Sequence, residues 1–333
     1  MKNLRTTSFL VGLSFLCINT YSQPKHDNSN NLKSFSSGCL PPSAVSDLDI
    51  NNIRATIFNN GFLWANPDDY GPGYEVPKGS GKQCITSGGI ILGGVDNGGN
   101  LRLSSKIYWW GDDFFPGPLA SFGELQASTN DEICEKYDRI YKIEKAQVRE
   151  FRDWYSADQK TKYEVFPDYV IPEIIREWPA LGPEIDGFDY FLAPFVDYNG
   201  DNQYNPDDGD YPQYDLFNTS QSIATRPSSQ AILYGDQTLW WVMNDKGNIQ
   251  THTPDGAAMG VEIHAQAFAF SSDDRLNDMT FYNYQIINKS TYTINNTYFG
   301  VLIEGMLGNP DNNYPGCDVS RGLGYLYNAT RSD

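Results

Sequence analysis

Between residues 231 and 330, short apolar segments follow one another with only polar turns between them. This succession limits the possible folds more than any other feature of the chain. Leu239-Trp240-Trp241-Val242-Met243 is a compact apolar strand. Val261, Ile263, Ala265, Ala267 and Ala269 form one alternating face of another. Phe281 to Ile287 and Tyr292 to Ile303 follow, set off by Asn-Lys-Ser and Asn-Asn turns. A period of two lines one face of a strand, and successive strands without intervening helices predict an antiparallel sandwich.

The earlier part of the chain carries related signals. Ile53, Ala55 and Ile57 alternate with polar residues, and Ile90-Ile91-Leu92 is a buried-strand run. The turn formers at 96–100 lead into a second strand from Leu101 to Trp109, and Pro116-Gly117-Pro118 stops the next extended run. From Tyr137 to Trp154 the spacing changes. Ile140, Ile143, Val148, Phe151 and Trp154 recur three or four apart, which predicts a helix. A second short helix is predicted over Pro172 to Trp178, closed by Pro179. The expected fold is mainly β, an antiparallel β-sandwich-like architecture with a small helical insertion around 137–180. The expected divisions are a signal peptide at 1–22 and a disordered leader at 23–44. A β-rich region with the helical insertion and a calcium-type loop covers 45–215. A sandwich-like region covers 216–333, standing alone or packed with the preceding part as one unit.

Lys2 and Arg5, the apolar stretch Phe9 to Ile18, and small residues at Thr20 and Ser22 read as a secretory leader cut before Gln23. That apolar stretch is too short to span a membrane, and no later segment is long enough. Residues 23–44 are rich in Asn, Ser and Lys and lack periodicity. The formal net charge is −18; losing Lys2 and Arg5, with no acid among residues 1–22, makes it −20. A phosphate backbone would be repelled, so nucleic-acid binding is not expected. Cys39, Cys84, Cys134 and Cys317 are too widely spaced for a compact zinc motif. In an exported chain they permit two disulfides in three possible pairings, and at least one is expected.

Residues 196–212 read Val-Asp-Tyr-Asn-Gly-Asp-Asn-Gln-Tyr-Asn-Pro-Asp-Asp-Gly-Asp-Tyr-Pro. Asp197, Asn199 and Asp201 put oxygen-bearing side chains at positions 1, 3 and 5 of a tight loop. Gln203 falls at position 7, Asn205 at 9 and Asp208 at 12. Calcium needs six to eight oxygens, and this alternation supplies them from one loop. Position 6, which needs a sharp turn, is Asn202, a residue that tolerates the left-handed region. Pro206 stands against a regular helix beginning within the loop. The pattern is closer to the loop sites of extracellular modules than to an EF-hand, and such sites rigidify a turn. The expected metal ligands are therefore Asp197, Asn199, Asp201, Gln203, Asn205 and Asp208, with calcium as the cofactor.

Other chemistry is weakly signalled. Glu262 and His264 share a strand face and could join His252 on zinc, but the solvent side of the strand or a polar pair is the stronger expectation. Gly79-Ser80-Gly81-Lys82 lacks the first glycine of a phosphate loop, and Gln83 replaces its Ser or Thr. No Gly-x-Ser-x-Gly elbow appears. Trp109, Trp110, Trp240 and Trp241 are candidates for sugar stacking, with core packing the stronger expectation for each.

Several phrases occur together: Asp49-Ile50-Asn51-Asn52-Ile53-Arg54-Ala55, Tyr74-Glu75-Val76-Pro77-Lys78-Gly79, Gly93-Gly94-Val95-Asp96, and Asp113-Phe114-Phe115-Pro116-Gly117-Pro118. Leu192-Ala193-Pro194-Phe195-Val196-Asp197, Gly209-Asp210-Tyr211-Pro212, Trp240-Trp241-Val242-Met243-Asn244-Asp245 and Gly316-Cys317-Asp318 follow. In this order, from about 47 to 330, the chain resembles large surface proteins exported by the type IX secretion system. The resemblance implies extracellular or cell-surface placement and an adhesin-like or matrix role, without catalytic residues. Members usually continue into a C-terminal sorting domain. This chain stops at Asp333, so a fragment, a truncated relative or a periplasmic form is expected. Relatives tend to be Asp-rich near 301–318; here Glu304, Met306, Asn312 and Asn313 stand in that stretch, only Asp311 and Asp318 remain as Asp candidates, and a second calcium site is not expected. The expected function is a secreted, calcium-stabilised binding or structural protein whose partner is a polysaccharide or another cell-surface protein. A carbohydrate-active hydrolase using paired carboxylates is the alternative.

Overall fold

The computed structural model describes residues 38–214 and 232–330, with two further strands, Thr6–Leu10 and Phe15–Ile18. The remainder of the leader expected at 1–22, and residues 23–37, lie outside the described residues.

The fold is mainly β, built on two large antiparallel sheets. The first runs Tyr141–Glu144, Gln237–Asn244, Val261–Ala269, Phe281–Asn288, Thr6–Leu10, Phe15–Ile18. Phe115–Pro116 pairs with the far end of Gln237–Asn244. The second runs Ile294–Gly305, Gln83–Asp96, Phe62–Leu63, Arg54–Phe58, Val45–Leu48. Leu101–Lys106 and Tyr74–Glu75 also pair with Gln83–Asp96. Strands from before and after residue 215 thus share both sheets.

The core between the sheets follows the period of two. Leu239, Trp241 and Met243 point inward beside Ile263, Ala265 and Ala267, and meet Ile57, Leu63, Ile90 and Leu92 of the other sheet. Trp241 lies opposite Ala265, and Tyr284 opposite the same alanine on its other side. Small residues on the middle strand leave room for large rings on its neighbours. Burying an aromatic of 150–250 Å² at about 25 cal/mol per Å² is worth roughly 4–6 kcal/mol, as an upper bound.

The outer face of the first sheet is covered as well. Trp240 and Val242 pack against Ile143, Val148, Phe151, Ile175 and Trp178 of the helical segment. Gln237–Asn244 is therefore buried at every position. Adjacent Trp240 and Trp241 fill two different cores, as alternation requires.

The helical insertion is correctly placed, but it begins earlier and is interrupted. Its helices are Asp131–Tyr137, Lys145–Ser156, Gln159–Val165 and Glu173–Arg176. The expected helix across Tyr137 to Trp154 is instead a strand, Tyr141–Glu144, followed by a helix. Tyr141 and Ile143 point into the helical-side core, and the backbone pairs with Gln237–Trp240 at the sheet edge. Tertiary pairing has overridden a helical spacing. Glu144 then starts the next helix through a capping box with Gln147. Residues 38–44, assigned to the leader on composition, belong to the packed structure. Cys39 is buried and disulfide-bonded to Cys134, and its N–H donates to the Gly247 carbonyl at 3.1 Å. Cys84 and Cys317 are free thiols.

Candidate metal centre

The short strands Phe195–Val196 and Tyr211–Pro212 pair antiparallel and close the base of the 197–210 loop. The loop is anchored to the helical layer from below. Tyr211 packs on Phe151 with ring centroids 6.1 Å apart, and the Tyr204 hydroxyl donates to the Ile175 carbonyl at 2.5 Å. Burial drives the Tyr204 phenol far above its usual range, so it stays a neutral donor. Asp207 faces outward and pairs with Arg176 at 3.0 Å.

Within this frame the carboxylates of Asp197, Asp201 and Asp210 converge, with one oxygen from each inside 4.8 Å of the others. Backbone donors aim all three. Gly200 and Asn202 donate to Asp197 at 2.7 and 2.8 Å, and Gln203 donates to Asp201 at 2.8 Å. Tyr198 and Asn205 both donate to Asp210 at 2.8 Å. Asn202 adopts φ 62°, the left-handed turn expected at that position. Pro206–Asp208 is a single 3-10 turn rather than the start of a regular helix.

The expected ligands separate into two groups. Asp197 and Asp201 are brought together. Asn199 lies between them and donates to Asp201 at 2.9 Å. Gln203 turns its amide to the Tyr190 hydroxyl, and Asn205 donates to Asp208 at 2.6 Å. Asp210, which the twelve-residue count leaves out, completes the cluster, and it is fully buried. Gly209, at φ 102°, turns the chain so that the acid following it points back into the loop. The sequence signal was the Gly209-Asp210 pair directly after the counted end.

Three carboxylates this close repel one another. Ligands on opposite sides of a calcium ion at 2.3–2.6 Å stand roughly 4.6–5.2 Å apart. Oxygens within 4.8 Å of one another could share one cation, and an all-oxygen donor set would suit a hard one. Among the described residues this is the one place where three such side chains converge. Near the second candidate site, Asp318 is taken up by Ser320 and by Arg321 at 3.1 Å.

The other candidate residues lie elsewhere. His252 and His264 do not meet. The His252 ring binds the Trp110 carbonyl and the Ile107 N–H, whereas His264 donates to Glu262 at 2.7 Å. Glu262 and His264 are a polar pair but not solvent-facing, because the helical layer covers that side of the sheet. In the loop at 79–82, the Gly81 N–H donates to the Glu75 carboxylate. That backbone hydrogen bond, together with Gly79 and Arg54, holds the Glu75 carboxyl below its usual range. Burial leaves the Asp245 carboxyl above its usual range, and it faces Met259, Gly260, Val261 and Ser104 in the interior rather than a cleft.

No family model matches the chain, and neither a curated protein nor a solved structure is similar to it.

Proposed function

We propose that this is an exported, calcium-braced surface protein with a binding or structural role. The convergence of Asp197, Asp201 and Asp210 at the tip of a two-stranded turn carries the reading. A cation there would cancel the mutual repulsion and lock the loop to the helical layer. The Cys39–Cys134 disulfide accords with an oxidising compartment outside the cytoplasm. The resemblance to type IX secretion cargo points the same way.

Thermal unfolding in calcium and in chelator tests the proposal. Sites of this class bind at ~0.1–1 mM, so 10 mM calcium should add about 1.4–2.7 kcal/mol. Asp197→Ala with Asp201→Ala should remove the response, and so should Asp210→Asn. Asp208→Ala should leave it intact, because that side chain is exposed and bonded to Asn205. Identical melting of the wild type in both buffers would sink the calcium reading.

A further inference from the structure

We propose that Tyr70, Tyr108, Trp109 and Trp110 form a docking platform for a neutral polysaccharide. The inference deepens the binding role proposed above and rests on it, but it is independent of the calcium loop.

The four rings are exposed by 45%, 40%, 58% and 48%. They form one connected group. Tyr108 stacks on Trp110 with centroids 4.6 Å apart and planes 9° from parallel. Tyr70 stacks on Trp109 at 5.6 Å, and the two tryptophans meet edge to face at 5.9 Å. Residues 107–110 are a connecting segment just past a strand end, where polar side chains are the norm. A cluster of large rings turned outward there marks an interaction surface.

The underlying backbone is held in place by buried charge. Lys106, 3% exposed at its side chain, pairs with Asp112 at 2.9 Å and donates to the carbonyls of Trp109 and Gly111. Buried Asp113 accepts from the N–H groups of Ser105, His252 and Thr253. The His252 ring uses both nitrogens on the same segment: Nε2 accepts from Ile107 and Nδ1 donates to the Trp110 carbonyl. Tyr70 sits at φ 56°, a left-handed conformation rare for so bulky a residue. The rings are thus pre-positioned, and binding need not order them.

Charge selects the occupant. Asp68 and Asp69 are exposed beside Tyr70, and Lys106, which donates to the Trp109 carbonyl, is buried beneath the platform. With a net charge of −18 on the chain, a polyanionic glycan or nucleic acid is repelled. Sugar rings offer flat C–H faces that cover aromatic planes and hydroxyl edges that donate to carboxylates. An apolar peptide anchor would need a concave pocket, and neither the depression between Ile50 and Glu150 nor the one beside Leu181 and Tyr190 is lined by these four residues.

The test is affinity electrophoresis of the full chain in gels cast with glucomannan, arabinoxylan or mixed-linkage β-glucan, with polylysine as a cationic comparison. At least one neutral polysaccharide should retard the wild type. Trp109→Ala and Trp110→Ala should each weaken retention roughly tenfold, as expected for loss of one stacking ring. Their melting temperatures should be unchanged, and Trp109→Phe should retain most of the binding. Tyr163→Ala, which removes an exposed ring outside the platform, should have no effect. Polysaccharide retention that survives loss of both tryptophans would overturn the platform and leave the binding role standing. Failure of all three polysaccharides to retard the wild type would also overturn it, with the calcium experiment judging the wider reading separately. Platform-dependent retention by polylysine alone would assign the surface to a cationic chain and overturn the proposal.

Discussion

Lys289→Met should unfold the protein more easily than any surface substitution, and in a pH-dependent way. The Lys289 ammonium, 3% exposed, lies 2.6 Å from Asp189 and 3.5 Å from Glu262, and donates to Ser121 at 2.7 Å. Glu262 is 1% exposed and also accepts from His264 and the Leu119 N–H at 2.7 Å each. Burial pushes the Glu262 carboxyl upward, but the Lys289 charge and these donors outweigh it and hold the group at about 2. Burial likewise pulls Lys289 down, and Glu262 and Asp189 more than restore it. Removing the cation leaves a buried carboxylate short of its partner, a loss of about 3–5 kcal/mol. Unfolding entropy near 2.1 cal/mol/K per residue over roughly 280 folded residues gives about 0.6 kcal/mol/K, so Tm should fall by about 5–8 °C.

The pH dependence follows from the depressed carboxyl. Its contribution is complete above the ordinary value of 4.5 and is lost as pH falls toward 2. The linked stability is about 3 kcal/mol. In Lys289→Met that acid-side slope should flatten or reverse, because burial then favours the neutral acid. Urea titrations at pH 7, 5 and 3 would measure both effects. A variant melting within a degree of wild type, with an unchanged slope, would refute the argument.

Two further outcomes are expected. Cys39→Ser with Cys134→Ser opens a link between residues 95 apart, which should cost about 2–4 kcal/mol and lower the urea midpoint. Gly89→Ala would place a Cβ 1.8 Å from the Lys106 carbonyl, forcing apart two paired strands; roughly 3 kcal/mol should be lost, with an unchanged denaturant slope.

Much of the fold was legible because alternation survives wherever one side of a strand faces a core. Arg54–Phe58 and Val261–Ala269 carry that pattern openly. Tyr141–Glu144 did not, because its two inward residues also fit a helical spacing with Val148 and Phe151, and only its partner strand decides between them. The unbroken run Leu239 to Met243 suits a strand with two buried faces, but the sequence does not say what covers the second. At the candidate metal centre, Asp197 and Asp201 were legible from spacing. Asp210 was hidden because the glycine before it reverses the chain. Tyr70 and His252 join Trp109 and Trp110 only through tertiary contact, so no local pattern could have grouped them.

Gln237–Asn244 meets water on neither side. The stretch from 131 to 214 is therefore not an ornament that a shorter relative could shed. Excising it would turn Trp240 and Val242 outward and give the remaining sandwich a greasy back, inclined to stick to its own copies. A trimmed version of this architecture would have to exchange those two residues for polar ones in the same step.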